Sequence, residues 1–233
     1  MKKIMFNDKY GLTDAVLSGR KIMTRRVVPA KVAQMIEACA SPTLLVPLDC
    51  IPSGMSMEEF EKQWKNYDAP VFIQTKSKEK IKFYDARQEA IKFATYNIGE
   101  EIAVAQAYKY IRARIDVSER DVHPCAPGWN NKMFVRADLM PHRIRITNIR
   151  VERLQDISDE DCIREGVEVE DFRGDYRWGF YTGFFTTNRG QGCKSVWCNS
   201  PQKAFAAHID KVSGRGTWER NPWVFAYSFE LCR

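Results

Sequence analysis

Lys21 and Thr24 lie three positions apart in a run that also holds Gly19, Arg20, Arg25 and Arg26. A threonine hydroxyl is a poor nucleophile until a base takes its proton. A lysine serves as that base when its pKa is depressed, and Arg25 and Arg26 are cations placed to depress it. A carboxylate would complete the set by orienting the lysine or by holding a donor group of a substrate, and Glu165 is the candidate. It falls at the C-terminal end of an expected short helix, where the helix dipole disfavours a carboxylate by a few tenths of a kcal/mol. That mismatch points to a role other than helix stability, although a solvated glutamate fits the same position. The cations around Lys21 also read as the floor of an anion- or nucleotide-binding cleft. A solvated turn explains Gly19 but not so many cations beside one hydroxyl.

The elements that must position these residues follow from local pattern. Residues 3–6 read as a short strand, and residues 8–18 as a helix with Leu12, Val16 and Leu17 on its apolar stripe. Gly19 fits just past its end, in a left-handed turn. Residues 23–28 read as a strand that puts Thr24 and Arg26 on one face and Arg25 on the other. Lys21 then converges with Thr24 only if the chain bends after Gly19. Pro29 ends the strand and suits a helix over 30–39.

Residues of about 40–95 read as an insertion broken by Pro42, Pro47, Pro52 and Gly54. It holds a capping box at Ser56 and Glu59, a helix with Phe60 and Trp64 on one face, a strand at 71–74 and helical spacing over 81–93. A glycine turn at Gly99 feeds a strand over 101–107, and 108–138 is irregular and basic. In the next strand Ile144 and Ile146 face one way and Arg143, Arg145 and Thr147 the other, so Arg143 and Arg145 join the candidate binding residues. The apolar phase then shifts to Ile149 and Val151, which predicts a bulge near Thr147 and Asn148. Ser158 caps a short helix closed by Gly166.

A second insertion, about 168–199, interleaves aromatics with cations. It reads either as a base-stacking surface or as a hairpin burying its rings. Ser200 and Pro201 open a helix with Phe205, Ile209 and Val212 on its buried face, ended by Gly214, and His208 beside that stripe reads as a packing residue. Residues 222–231 form a last strand with Trp223, Phe225, Tyr227 and Phe229 on one face.

The 233 residues, 44% hydrophobic and 12% aromatic, are enough for a sizeable core. No apolar run is long enough to cross a bilayer, and the start turns polar too soon for a signal peptide, so a cytoplasmic protein without a membrane partner is expected. Seven scattered cysteines without a C-x-x-C pair, and three histidines, signal neither a zinc ribbon nor a redox pair. No metal and no cofactor is expected, and the thiols read as reduced. The net charge of +6 is uneven, with eight Lys/Arg against three Asp/Glu in residues 1–40. Such a balance favours anionic partners, nucleic acid or nucleotides among them.

Strands do not alternate regularly with helices, so a doubly wound sheet is disfavoured. The expected class is α+β, mainly β: one domain built as a small, mostly antiparallel barrel with flanking helices and two insertions. The order of motifs resembles the ASCH family, of PUA-like β-barrel fold, in its larger phage and bacterial form. Gly19-x-Lys21-x-x-Thr24-x-Arg26 resembles its signature. The turn and strand at 98–104, the run from Met140 through Gly166 and the closing strand from Asn221 are similar as well. The resemblance implies a cleft for RNA, single-stranded nucleic acid or a modified nucleoside. One branch of the family removes the acetyl group from N4-acetylcytidine without a metal. Its catalytic residues match Lys21 as general base, Thr24 as nucleophile and Glu165 as the group that positions or stabilises the substrate. Three functions are therefore expected to compete: nucleic-acid or nucleoside binding around Lys21 and Arg26, amide hydrolysis on an acylated base, and a phage-derived module that binds another protein.

Overall fold

A computed structural model describes residues 1–38, 55, 56, 58, 59, 62, 71–77, 80–115, 122–187 and 190–232, with the backbone alone at 71–77, 80–84, 172, 183–187 and 190–193. The chain is a mixed α/β structure around a five-stranded sheet. Its strands are β1 (Lys3–Ile4), β2 (Met23–Val27), β5 (Glu101–Val104), β6 (Arg143–Arg153) and β10 (Trp223–Cys232), in the order β1-β5-β6-β10-β2. Only β1 and β5 run parallel; the other pairings are antiparallel.

The two edges, β1 and β2, are not paired with each other among the described residues. Laid flat, five strands would hold their edges about 19 Å apart. Here the Arg26 guanidinium, on β2, donates to the carbonyl of Met5, just after β1, at 2.9 Å. The sheet is therefore curled so that its edges approach, without closing into a barrel. Part of the curl is written into β6. Ser228 pairs with Asn148 while Phe229 pairs with Ile146, so Thr147 is an extra residue at the expected position. This bulge lets Ile144, Ile146, Ile149 and Val151 all face one core despite the broken alternation. Phe225, Tyr227 and Phe229 of β10 enter the same core, as the one-faced aromatic pattern predicts.

Two helices cover the other face. Helix α5 (Asp159–Arg164) and helix α6 (Pro201–Ser213) pack on the outer side of β10, where Leu154, Ile157, Cys162, Phe205 and Val224 form a second core. Ser200 caps α6 ahead of Pro201, and Gly214 ends it, as read from sequence. Helix α1 (Leu12–Leu17) is shorter than the expected 8–18 because Gly11, at φ 67°, separates it from a 3-10 turn at Asp8–Tyr10. The basic stretch after β5 is not a free loop. Tyr108 and Ile111 of α4 (Tyr108–Ile111) join Val122, Val135 and Met140 in a third core against β5.

The remaining elements are helices α2 (Ala30–Ala38), α3 (Ala86–Ile91) and α7 (Thr217–Arg220), a hairpin of β3 (Val71–Ser77) and β4 (Lys80–Asp85), and a three-stranded sheet of β7 (Glu168–Phe172), β8 (Asp175–Thr187) and β9 (Gly190–Cys198). The helical spacing over 81–93 is corrected by this hairpin. Residues 80–85 alternate apolar and polar and pair with 71–77, and the helix starts only where the Asp85 side chain caps it by accepting from Arg87 N–H at 2.8 Å. The capping box is present, with Glu59 N–H donating to Ser56 Oγ at 3.1 Å and Ser56 N–H to the Glu59 carboxylate at 3.0 Å. Phe60 and Trp64 lie outside the described residues. In the second insertion Phe180 is buried, whereas Tyr176 is exposed. No helix among the described residues is long and apolar enough to cross a membrane.

Candidate functional site

The turn after α1 sets Lys21. Gly19, at φ 75°, takes the left-handed conformation that a side chain resists, and the chain reverses so that Lys21 N–H donates to the carbonyl of Ala15 at 2.9 Å. Ile22 N–H then donates to the carbonyl of Arg164, the last residue of α5, also at 2.9 Å. These bonds hold the start of β2 against the C-terminal end of α5, where Glu165 is the cap residue. Gly166 follows at φ 97°, and a β-carbon there would meet the Lys21 side chain at 3.5 Å.

Lys21 is thereby buried, 3% exposed, with its ammonium between two acceptors of one residue. Nζ donates to the Glu165 carboxylate Oε2 at 2.5 Å and to the Glu165 carbonyl at 2.7 Å. The second contact explains the carboxylate at an unfavourable helix end. Lys21 supplies the cation that the terminal carbonyls attract, and Glu165 binds that cation at the same time. Burial pushes the Lys21 pKa down. The Glu165 charge and hydrogen bond oppose the shift, and Arg26 and Arg25 reinforce it by lesser amounts. Lowering was expected from the two arginines; desolvation is the larger cause.

Arg25 faces away from Thr24, as strand alternation requires. Its cross-strand neighbour is Ala226, whose other neighbour is Arg150, whereas Thr24 stands opposite Tyr227. The guanidinium is buried and gripped by three carboxylates: Glu152 at 2.6 Å, Asp161 at 3.1 Å and Glu165 Oε1 at 3.1 Å. Arg150 also donates to Asp161. Burial alone would lower the Arg25 pKa, but Glu165 and Glu152 outweigh it and raise it. Glu165 is thus held at both oxygens, by Lys21 and by Arg25.

Lys21, Thr24 and Glu165 border one pocket of about 220 Å³ along the free edge of β2. Its remaining wall is largely apolar, with Phe6 and Leu12 on one side and Phe205, Ile209 and Val224 on the other. Thr24 is 5% exposed, and its hydroxyl makes no hydrogen bond among the described residues. Arg26 lies at the rim, exposed, with its guanidinium 6.0 Å from the Phe6 ring.

The other proposed binding residues are placed differently. Gly19 shapes the turn. Arg20 is exposed and paired with Glu168 of β7. Arg25 lines the pocket but is committed to its carboxylates. Arg143 and Arg145 are not brought to this pocket. They border another depression with Glu101 and Glu230, where Arg145 binds Glu101 at 2.8 Å.

Two features went unread in the sequence. Glu152 and Asp161 are the anchors of Arg25, and the opposite charges of Arg150 and Glu152 on one strand face were the available signal. His208 was read as packing, and it is buried and stacked on Phe180; what went unread is that it also lines the pocket, because Phe205, His208, Ile209 and Val212 share one side of α6. No group of three or more His, Cys, Asp or Glu able to hold a metal occurs among the described residues. Comparison of the chain with protein-family models, with curated proteins and with solved structures yields no match.

Proposed function

We propose that the chain is an ASCH-type protein of PUA-like ancestry, its barrel left open at β1 and β2, and that the pocket at that opening binds an acylated nucleoside and hydrolyses its amide. The observation that carries the reading is the buried Lys21–Glu165 pair beside the unbonded Thr24 hydroxyl on one small pocket. Burial lowers the Lys21 pKa and so eases loss of its proton; the deprotonated amine then takes the Thr24 proton as the hydroxyl oxygen attacks the amide carbonyl. The resulting ammonium returns a proton to the departing amine, leaving an acyl-threonine. Water then attacks that ester with Lys21 again as base, releasing the carboxylic acid and freeing Thr24. Glu165, fixed at both oxygens, keeps the lysine in place through the cycle.

Binding of longer RNA or single-stranded nucleic acid in the same cleft draws on the net charge of +6. It is the weaker reading, because Lys21, Arg20 and Arg25 already face carboxylates and only Arg26 of the run is exposed without one. A phosphate chain is held by cations free to exchange their counterions.

The test is deacetylation of N4-acetylcytidine, followed by absorbance. Wild-type protein turns it over, and Thr24→Val, which removes a hydroxyl with no hydrogen bond to lose, folds normally and slows turnover on the order of 1000-fold or more. No wild-type turnover, or undiminished turnover by the variant, sinks the proposal.

A further inference from the structure

His208 is buried in α6, 4% exposed, and its Nε2 is one of two buried side-chain polar atoms left without a hydrogen-bond partner among the described residues. An orphaned buried nitrogen is costly, and a folded protein keeps one where something else completes it. The ring is firmly held. Phe180 of β8 stacks on it at 4.5 Å with the planes 19° apart, and Tyr10 meets it edge-on at 6.0 Å. The clamp joins the second insertion to the wall of the Lys21 pocket, which His208 lines.

We infer that His208 is a ligand-binding residue of this pocket, and that its imidazole, through a ring nitrogen, hydrogen-bonds an uncharged polar group of the ligand, such as a hydroxyl or an amide. The inference rests on the reading of the pocket as a nucleoside site and adds the residue that recognises the ligand's polar edge. The charge state of the ring limits the ligand class. Burial, helped by the nearby Lys21 charge, pushes the His208 pKa down to about 3, so the ring is neutral near pH 7. A neutral imidazole offers one donor and one acceptor and no charge, so it pairs with a hydroxyl or amide edge and gives an anionic group no counter-charge. Phe180 also assigns a task to the 168–199 insertion: it fixes the imidazole plane and therefore the direction of the hydrogen bond.

The experiment measures binding of N4-acetylcytidine by calorimetry to full-length wild type, His208→Phe and His208→Gln, with a thermal melt of each. Phe keeps the aromatic stack and removes the nitrogens; Gln returns a polar group at similar reach. The expected result is a Kd weaker by on the order of 10- to 100-fold for His208→Phe, partial recovery in His208→Gln, and a His208→Phe melting temperature at or above that of wild type. Unchanged affinity in His208→Phe overturns the inference and leaves the role of Thr24 standing. A marked fall in the His208→Phe melting temperature also overturns it, since Nε2 would then have a structural partner. Full turnover by Thr24→Val alongside weakened binding by His208→Phe has the opposite meaning: the nucleophile is misassigned and the binding role holds. If wild type does not bind N4-acetylcytidine, both fall together.

Discussion

Arg25 illustrates how far a residue's role depends on its neighbours. Beside Lys21 and Arg26 it reads as one more cation for an anionic ligand; in the fold it binds Glu152, Asp161 and Glu165, with Lys21 and Arg150 sharing their charge. Removing one partner of a buried charge cluster strands the others, which costs about 3–5 kcal/mol. Arg25→Met is therefore expected to lose roughly that much stability in urea unfolding, and Arg25→Lys to recover only part of it. A lysine ammonium is a point charge and cannot reproduce a planar fork serving three carboxylates. A loss below about 1 kcal/mol for Arg25→Met would show the cluster to be dispensable. Lys21, Thr24 and Glu165 were legible as a set because each broke a local expectation: a bend was needed, a hydroxyl lay among cations, a carboxylate ended a helix. Glu152 and Asp161, the other carboxylates around Arg25, were not, because they come from β6 and α5, more than 120 residues away in the chain, and neither breaks a local pattern.

Among the elements, β6 was the most readable. Its apolar phase shift located the bulge at Thr147, and the pairing with β10 has its extra residue there. Deleting Thr147 leaves Ile144, Ile146, Ile149 and Val151 in strict alternation, whereas deleting Arg145 turns Ile144 to the opposite face from Ile146. The Thr147 deletion is thus expected to fold and melt cooperatively, and the Arg145 deletion to be much less stable or unfolded. Equal melting temperatures for the two would contradict the bulge as the source of the register. The 81–93 segment shows the converse. Charged and apolar residues there satisfy a helical period over a short window as well as a strand period, and the partner strand at 71–77 decided the outcome.

At the scale of the molecule, the buried network gives the protein a directional response to pH. His208 has a folded pKa of about 3 against an ordinary 6.5, so the unfolded chain binds a proton that the folded chain refuses. Its contribution to stability is intact above about pH 6.5 and is lost as the pH falls toward 3, at up to about 1.4 kcal/mol per pH unit. Asp161, held low by Arg150 and Arg25 against its burial, adds loss in the same direction at the acid end. Urea unfolding of wild type and His208→Phe across pH 7 to 4 is expected to show a steeper fall for wild type. Parallel curves would place the imidazole in an ordinary solvated environment.

Taken alone, the amino-acid order determined the local pieces: the turn at Gly19, the strand carrying Thr24, the bulge in β6, and the caps at Ser158, Ser200 and Gly166. These depend on neighbours within a few positions, whose propensities and periodicity are written in the chain. Tertiary structure decided the rest: the open curl that brings β1 toward β2, the carboxylates that occupy Arg25, the departure of Arg143 and Arg145 to another face, and the wall position of His208. Each of these rests on contacts between segments far apart in sequence, and no local pattern records which distant residue will stand opposite. The run from Gly19 to Arg26, a row of cations in sequence, is in the folded chain one edge of a pocket in which the two buried cations, Lys21 and Arg25, are paired with carboxylates.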